Sequence, residues 1–361
     1  SKKRIMRRKN LIAKRKVKEK KLLIKNNKVR RFYNKFKKIV LQYIKKESFV
    51  LAVSGGADSL CLAYFSSVYA SEFKNKIHVL IVNHNLRKES YNEAISVKKI
   101  LKSKGIKSKI LNWNGKLPQS NIQKNARNIR YSLLSNFCLR KNIKFLITAH
   151  HMDDQIENFF IRLFRGSGLA GLSSMSDKVD YNKNLKILRP FLNFKKEDLK
   201  YSTMYYFKTY IDDPSNKDEK FLRVRVRKYR SNMEKEGLNT DKIVKTVNNL
   251  MSASRALNFY KNKALYKHVS FISKHKCLIN RQIFDEEAGE VIFKSFSDIL
   301  SLVAGTYYPP RSKKVMNLIN RLKKGKFNKS TLGGCVIEKK DSFVAVYKEQ
   351  KINKTPFHLG K

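Results

Sequence analysis

The chain has 361 residues, 42% of them apolar, enough for two or three domains with a sizeable core and too many for a disordered chain. Lysine and arginine number 80 against 28 aspartates and glutamates, a net charge of +52 that few small-molecule enzymes carry. Such a field favours a polyanion, either nucleic acid or an anionic membrane surface.

Residues 1–31 hold 16 Lys or Arg and one Glu and read as a basic flexible arm. Like-charged blocks of this kind are usually solvated tails that bind nucleic acid without sequence preference; the plain alternative is a tail with no partner. The N-terminus lacks the apolar core of a secretory signal, and no run of roughly 18 apolar residues follows, so no membrane span is expected. Four cysteines, Cys61, Cys138, Cys277 and Cys335, stand far apart with no C-x-x-C pair. This argues against a zinc ribbon or a thioredoxin-like site and for a reducing compartment, cytoplasmic or an organelle matrix or stroma.

From 32 to 215, strand-like runs alternate with helix-like segments. Phe49–Val53, Ile77–Val82, Lys107–Leu111 and Lys144–Thr148 read as strands, and 57–70, 90–104 and 121–141 as helices. The alternation predicts βαβ units and therefore an α/β fold with a doubly wound, mainly parallel, Rossmann-like sheet. Ligands bind such sheets at the carboxyl ends of the strands. Three polar clusters fall there: Ser54–Ser59, Asn83–Arg87 and His150–Asp154. After a turn at 212–216, residues 216–274 read as a basic helical connector. Residues 275–361 read as a small α+β C-terminal domain, with strands at Thr331–Lys339 and Ser342–Tyr347 joined at Lys340-Asp341.

The segment Ser54-Gly55-Gly56-Ala57-Asp58-Ser59 joins the first strand to the first helix of this alternation. Strand, glycine turn and helix together aim backbone N–H groups and a positive helix end at an anion. Ser54 and Ser59 add hydroxyls, and no Walker lysine follows, so this is a phosphate loop of another kind. The plain alternative is the strand-to-helix turn of any α/β protein. Downstream, Asp153, Asp154 and Glu157 can share one helix face after the strand-ending pair His150-His151. Three acids in one turn repel and call for a cation. Arg127 and Arg130 share another helix face.

The loop resembles that of the PP-loop ATP pyrophosphatases, which cleave ATP between the α and β phosphates and adenylate a substrate oxygen. In chain order, V-N-H-N-L-R at 82–87, T-A-H-H-M-D-D-Q-I-E at 148–157, R-L-F-R-G-S-G at 162–168 and L-R-P-F at 188–191 are similar to the tRNA(Ile)-lysidine synthases. The likeness runs from about 36 to 230, with an echo near 331–347. It implies adenylation of the wobble cytidine C2 oxygen in a CAU-anticodon isoleucine tRNA, then attack by the ε-amine of free L-lysine. ATP and Mg²⁺ are the implied cofactors; no membrane partner is implied, and a homodimer is compatible with the reading.

On the same resemblance, Ser54, Gly55, Gly56, Ala57, Asp58, Ser59 and Arg87 would hold ATP, and Asp58 and Asp154 a metal ion. His150, His151, Asp153, Asp154, Glu157 and Arg127 form the expected catalytic set. Arg130, Arg162, Arg165, Arg223, Arg225 and Arg227 would meet RNA phosphates, which position an RNA without reading its sequence, and the connector at 216–274 and the C-terminal domain at 275–361 would bind and recognise the tRNA. Three positions depart from the family pattern: Asn83 for Asp, Asn158 for Thr and Val224 for Asn. Rival expectations are a PP-loop tRNA thiolase, which generally relies on a cysteine pair, and a noncatalytic RNA-binding relative.

Overall fold

The computed structural model describes residues 24–85, 89–115, 122–173, 175–212, 219–220, 222–306, 309–325 and 327–349. Arg87, Asp213–Asn216 and most of the basic arm lie outside that set. The chain divides into two compact units, 1–247 and 248–361.

The first unit opens with α1 (Asn27–Leu41), whose first turn is capped by the Asn26 side chain accepting from the Val29 N–H at 3.0 Å. Val29, Tyr33, Phe36 and Val40 form its buried stripe, so the last residues of the expected arm are ordered helix. The sheet then builds up by strand and helix in turn. β1 (Phe49–Ala52) leads to α2 (Ala57–Phe73), β2 (Ile77–Asn83) to α3 (Ser90–Ser103), and β3 (Ser108–Asn112) to α4 (Ile122–Arg140). β4 (Phe145–Ile147), α5 (Met152–Leu163), the short α6 (Leu169–Leu172), β5 (Lys178–Asn182), β6 (Leu185–Leu188) and α7 (Lys196–Phe207) follow.

Strand order is β3-β2-β1-β4-β6-β5, parallel except where β5 runs antiparallel to β6. The period-2 alternation of the strands divides the core. Phe49, Leu51, Val79 and Ile147 pack on one face with α1 and α2, while Val50, Leu80 and Leu146 pack on the other with Leu134 of α4. A sheet covered on both faces is the doubly wound arrangement predicted above, and it leaves the β1 and β4 ends open for the site. The β5–β6 hairpin escaped the sequence reading because β5 is short, polar and irregular, with a register shift between Asp180 and Asn182. Two helices follow α7: α8 (Leu222–Lys235), packed on α5, and α9 (Thr240–His268), which runs on into the second unit.

In that unit, β7 (Val269–Ser273), β8 (Lys276–Asn280), α10 (Ile283–Glu286), α11 (Gly289–Ala304) and α12 (Ser312–Lys323) precede β9 (Lys329–Leu332), β10 (Cys335–Lys339) and β11 (Phe343–Lys348). The antiparallel sheet has the order β7-β8-β11-β10-β9, and its core joins Cys277, Ile279, Ile337 and Val346 to Phe296, Ile299 and Ile319. The single strand expected over Thr331–Lys339 is two strands. Gly333 and Gly334, at φ +64° and +80°, turn the chain between β9 and β10, a conformation that glycine adopts without steric cost. Among the described residues, no helix is long and apolar enough to cross a membrane.

Candidate active site

The phosphate loop is built by its own backbone. Gly55 takes φ +93°, and a Cβ there would meet Val97 Cγ2 at 2.4 Å. The Ser59 hydroxyl accepts the N–H groups of Ser54 (3.1 Å) and Gly55 (3.0 Å) and donates to the Gly56 carbonyl at 3.0 Å, tying the turn to the first turn of α2. Ile211 N donates to Gly55 O at 2.9 Å and fastens the loop from outside. The Ser54 and Gly55 N–H groups are spent inside the turn, so the result is a rigid loop that presents the N-terminus of α2, which suits phosphate.

The second element starts at β4. Thr148 and His150 are linked through Oγ1 and Nδ1 at 2.9 Å. His151 caps α5: its N–H donates to Asp154 Oδ2 at 3.0 Å, and its Nδ1 accepts the Asp153 N–H at 3.3 Å. That acceptor role puts the ring proton on Nε2, which faces Asp58 Oδ2 at 3.3 Å and Asp154 Oδ2 at 3.6 Å. Asp58 from the loop and Asp154 from α5 thus converge on one buried imidazole. Asp58 Oδ1 is buried with no hydrogen-bond partner among the described residues.

Burial opposes a charge on His151, but the carboxylates of Asp58, Asp154 and Asp153 outweigh it and raise the pKa above the ordinary imidazole value. Burial likewise works against the Asp154 carboxylate. His151, His150, the His151 N–H and Arg223 overcome it and hold the carboxyl below its usual range. His150 moves the other way: burial, reinforced by Arg189, Arg127 and Arg223 and opposed by Asp154, keeps it neutral.

The other two acids of the cluster are matched by α8. Arg227 grips buried Glu157 with two bonds, Nε to Oε1 at 2.5 Å and Nη2 to Oε2 at 3.3 Å. Arg230 bonds Asp153 and also donates to Thr240 Oγ1. Arg227, expected on the RNA-facing side, is therefore engaged within the acid cluster. The pairing of these two arginines with the acids was not readable from the sequence, since it depends on how α8 packs against α5. Arg225 donates to the carbonyls of Glu219 (2.8 Å) and Lys220 (3.1 Å), tying down the segment ahead of α8.

A group of arginines faces the same region. Burial, with Arg127 and Arg165 close by, lowers the pKa of Arg162, which also donates to Gly171 O. Arg127 lies over the Tyr131 ring at 5.2 Å. Arg189 is buried, donates to Ser176 O at 2.8 Å and keeps its Nε without a partner among the described residues. Burial also lowers Arg189, with Arg127 adding repulsion against the help of Tyr131 and Asp177. Mutually repelling, half-buried guanidinium groups call for an anion. Arg189 stands in the quoted L-R-P-F motif, which is the signal that could have placed it in the set. Arg130 approaches His84 Nε2 at 3.4 Å; burial first, then Arg130, lowers His84 to about 4. Asn83, the departure from the family's Asp, is buried in an amide ladder with Asn85 (2.7 Å) and Asn112 (3.2 Å), so a neutral side chain suits its surroundings. Among the described residues, no three or more His, Cys, Asp or Glu side chains are arranged to hold a metal ion by themselves.

A PP-loop domain family model matches residues 25–232. A tRNA(Ile)-lysidine synthase of Orientia tsutsugamushi (strain Boryong) is 34% identical over 306 residues, which cover 83% of this chain and 69% of that protein. One from Wolbachia pipientis wMel is 35% identical over 303 residues, 83% of this chain and 70% of its own. Among solved structures, the U34-tRNA thiolase NcsA from Methanococcus maripaludis superposes with a TM-score of 0.53 at 19% identity, over 62% of this chain and 79% of that one, a likeness of fold alone.

Proposed function

The chain belongs to the tRNA(Ile)-lysidine synthases, PP-loop enzymes of ATP-dependent tRNA modification, and on that premise we propose that it joins L-lysine to C2 of the wobble cytidine in the CAU anticodon of isoleucine tRNA. The observation that carries this reading is the meeting of Asp58 and Asp154 at His151. It joins a phosphate-handling loop to a cluster able to handle an amine.

In the first step the cytidine C2 oxygen bonds to the α-phosphorus of ATP, and the bond to pyrophosphate breaks. The N-terminus of α2, with Arg127, Arg162 and Arg189, stabilises the charge that builds on the phosphates. Arg87, outside the described residues, remains a candidate for the same work. Mg²⁺ fits the oxygen donors Asp58 and Asp154: the Asp58 Oδ1 is buried and unpartnered, and Mg²⁺ takes few carboxylates together with phosphate and water. Bound there it would neutralise phosphate charge.

In the second step the lysine ε-amine attacks C2, and AMP leaves as the C2–O bond breaks. The amine titrates near ~10.4, so only about one molecule in a thousand is neutral at pH 7. Asp154, which pairs with neither Arg227 nor Arg230, draws the ammonium in, while Asp153 and Glu157 are held by those arginines. His151, whose pKa its carboxylates raise, takes the proton at Nδ1 as the ring releases the Asp153 N–H, while the Oδ2 atoms of Asp58 and Asp154 hold the Nε2 proton of the imidazolium. Arg130, Arg165 and Arg223 remain to meet RNA phosphates around the extruded base. A thiolase reading is disfavoured because all four cysteines are free and buried, and burial raises every thiol, Cys138 and Cys277 to about 12.

The test is incorporation of labelled lysine with ATP and Mg²⁺ into a CAU isoleucine tRNA transcript. Incorporation that disappears when the wobble C becomes U supports the reading. Pyrophosphate release without lysine incorporation would move the second substrate to another nucleophile.

A further inference from the structure

The part of α9 that belongs to the second unit carries an aromatic and cationic face that the chemistry above does not use. Phe259 is 66% exposed and Tyr266 94% exposed. Arg255, Phe259, Lys263 and Tyr266 follow one another at spacings of four, four and three residues, and so share one helix face. The opposite side of the helix buries Ser254, Ala264 and His268. From 248 to 268 there is no Asp or Glu. Lys261 and Lys267 are engaged by Asp298 and Glu286, whereas Arg255 and Lys263 make no ion pair among the described residues.

We infer that this face is a second RNA contact, at which Phe259 and Tyr266 stack unpaired bases while Arg255 and Lys263 hold the adjoining phosphates. The inference rests on the reading that the substrate is an RNA. Isolated exposed hydrophobics are ordinary, but two rings about 10 Å apart along one helix face, each flanked by a cation, suit bases of one unstacked strand that are not immediate neighbours. The charge also selects the occupant. A second copy docking this face on itself would set Arg255 and Lys263 against their own images, which like charges disfavour. A polyanion meets no such repulsion.

The experiment measures binding of the full chain to an unmodified CAU isoleucine tRNA transcript across a salt series. The double variant Phe259→Ala/Tyr266→Ala is expected to bind at least about tenfold more weakly with an unchanged salt slope, since stacking is lost and no phosphate contact is. Phe259→Tyr/Tyr266→Phe is expected to retain affinity. Arg255→Ala/Lys263→Ala is expected to lower the slope by about one to two units. All these positions are exposed, and unchanged melting of each variant confirms an intact fold. Unchanged affinity of the Ala/Ala variant, in a parent chain that still modifies the transcript, would overturn the inference alone. A parent that neither binds nor modifies the transcript would sink the enzymatic reading as well. Loss in the Ala/Ala variant of a concentration-dependent dimer, or of binding to phosphatidylglycerol vesicles, with tRNA affinity intact, would assign the face to another partner and overturn it.

Discussion

The phosphate loop and the α5 acid cluster meet at His151, yet they are built in opposite ways. The loop is made by backbone: Gly55 at positive φ, the Ser59 hydroxyl closing the turn, and the α2 N-terminus behind it. The cluster is made by side chains from separate elements: α5 supplies acids, α8 supplies Arg227 and Arg230, and the loop supplies Asp58. A backbone cradle offers donors that do not titrate, which suits an anion such as a phosphate group. A side-chain cluster can exchange protons, which an attacking amine requires.

The sharpest way to break that contrast is at Gly55. Gly55→Ala puts a Cβ against Val97 at a φ that alanine avoids, so the cradle must shift. Pyrophosphate release in a stopped assay should fall at least about 100-fold, because a displacement near 1 Å is enough for such a loss. Wild-type release would show that the loop geometry is not used. Arg227→Met should act differently, mainly on stability. It leaves buried Glu157 without its partner, and denaturant unfolding should show a loss of about 2–3 kcal/mol, kept modest because Arg227 is partly exposed. Glu157→Gln in that background should recover part of the loss; no recovery would mean that the pair is not the cause.

These two regions also differ in how far the sequence reveals them. Ser54–Ser59 is contiguous, and its conformation follows from glycine, hydroxyl and helix-start chemistry within six residues. The βαβ alternation was legible for the same reason: β1, β2, β3 and β4 each lie within about a residue of their expected bounds. The pairing of Glu157 with Arg227 spans 70 residues and that of Asp153 with Arg230 spans 77, and no local pattern encodes either. The β5–β6 hairpin and the Gly333-Gly334 turn were missed because short polar strands carry little periodicity, and a glycine pair reads as easily inside a strand as at its end.

A smaller effect probes the neutral side of the site. His84 has its pKa lowered to about 4, burial leading and Arg130 adding to it. A base depressed on folding contributes stability that is complete above its unfolded value near ~6.5 and drains away as pH falls toward the folded value. The melting temperature should therefore fall by a few degrees between these two pH values, and His84→Gln should flatten that slope. An unchanged slope would assign it to His150, which is depressed in the same direction.

The division of labour itself is tested by His151→Gln in a single-turnover assay that follows pyrophosphate release and lysine incorporation together. The expected result is a pyrophosphate burst within a few-fold of the parent and lysine incorporation reduced about 100-fold or more, the usual loss when a general base is removed. Equal loss of both signals, or full incorporation, would contradict it.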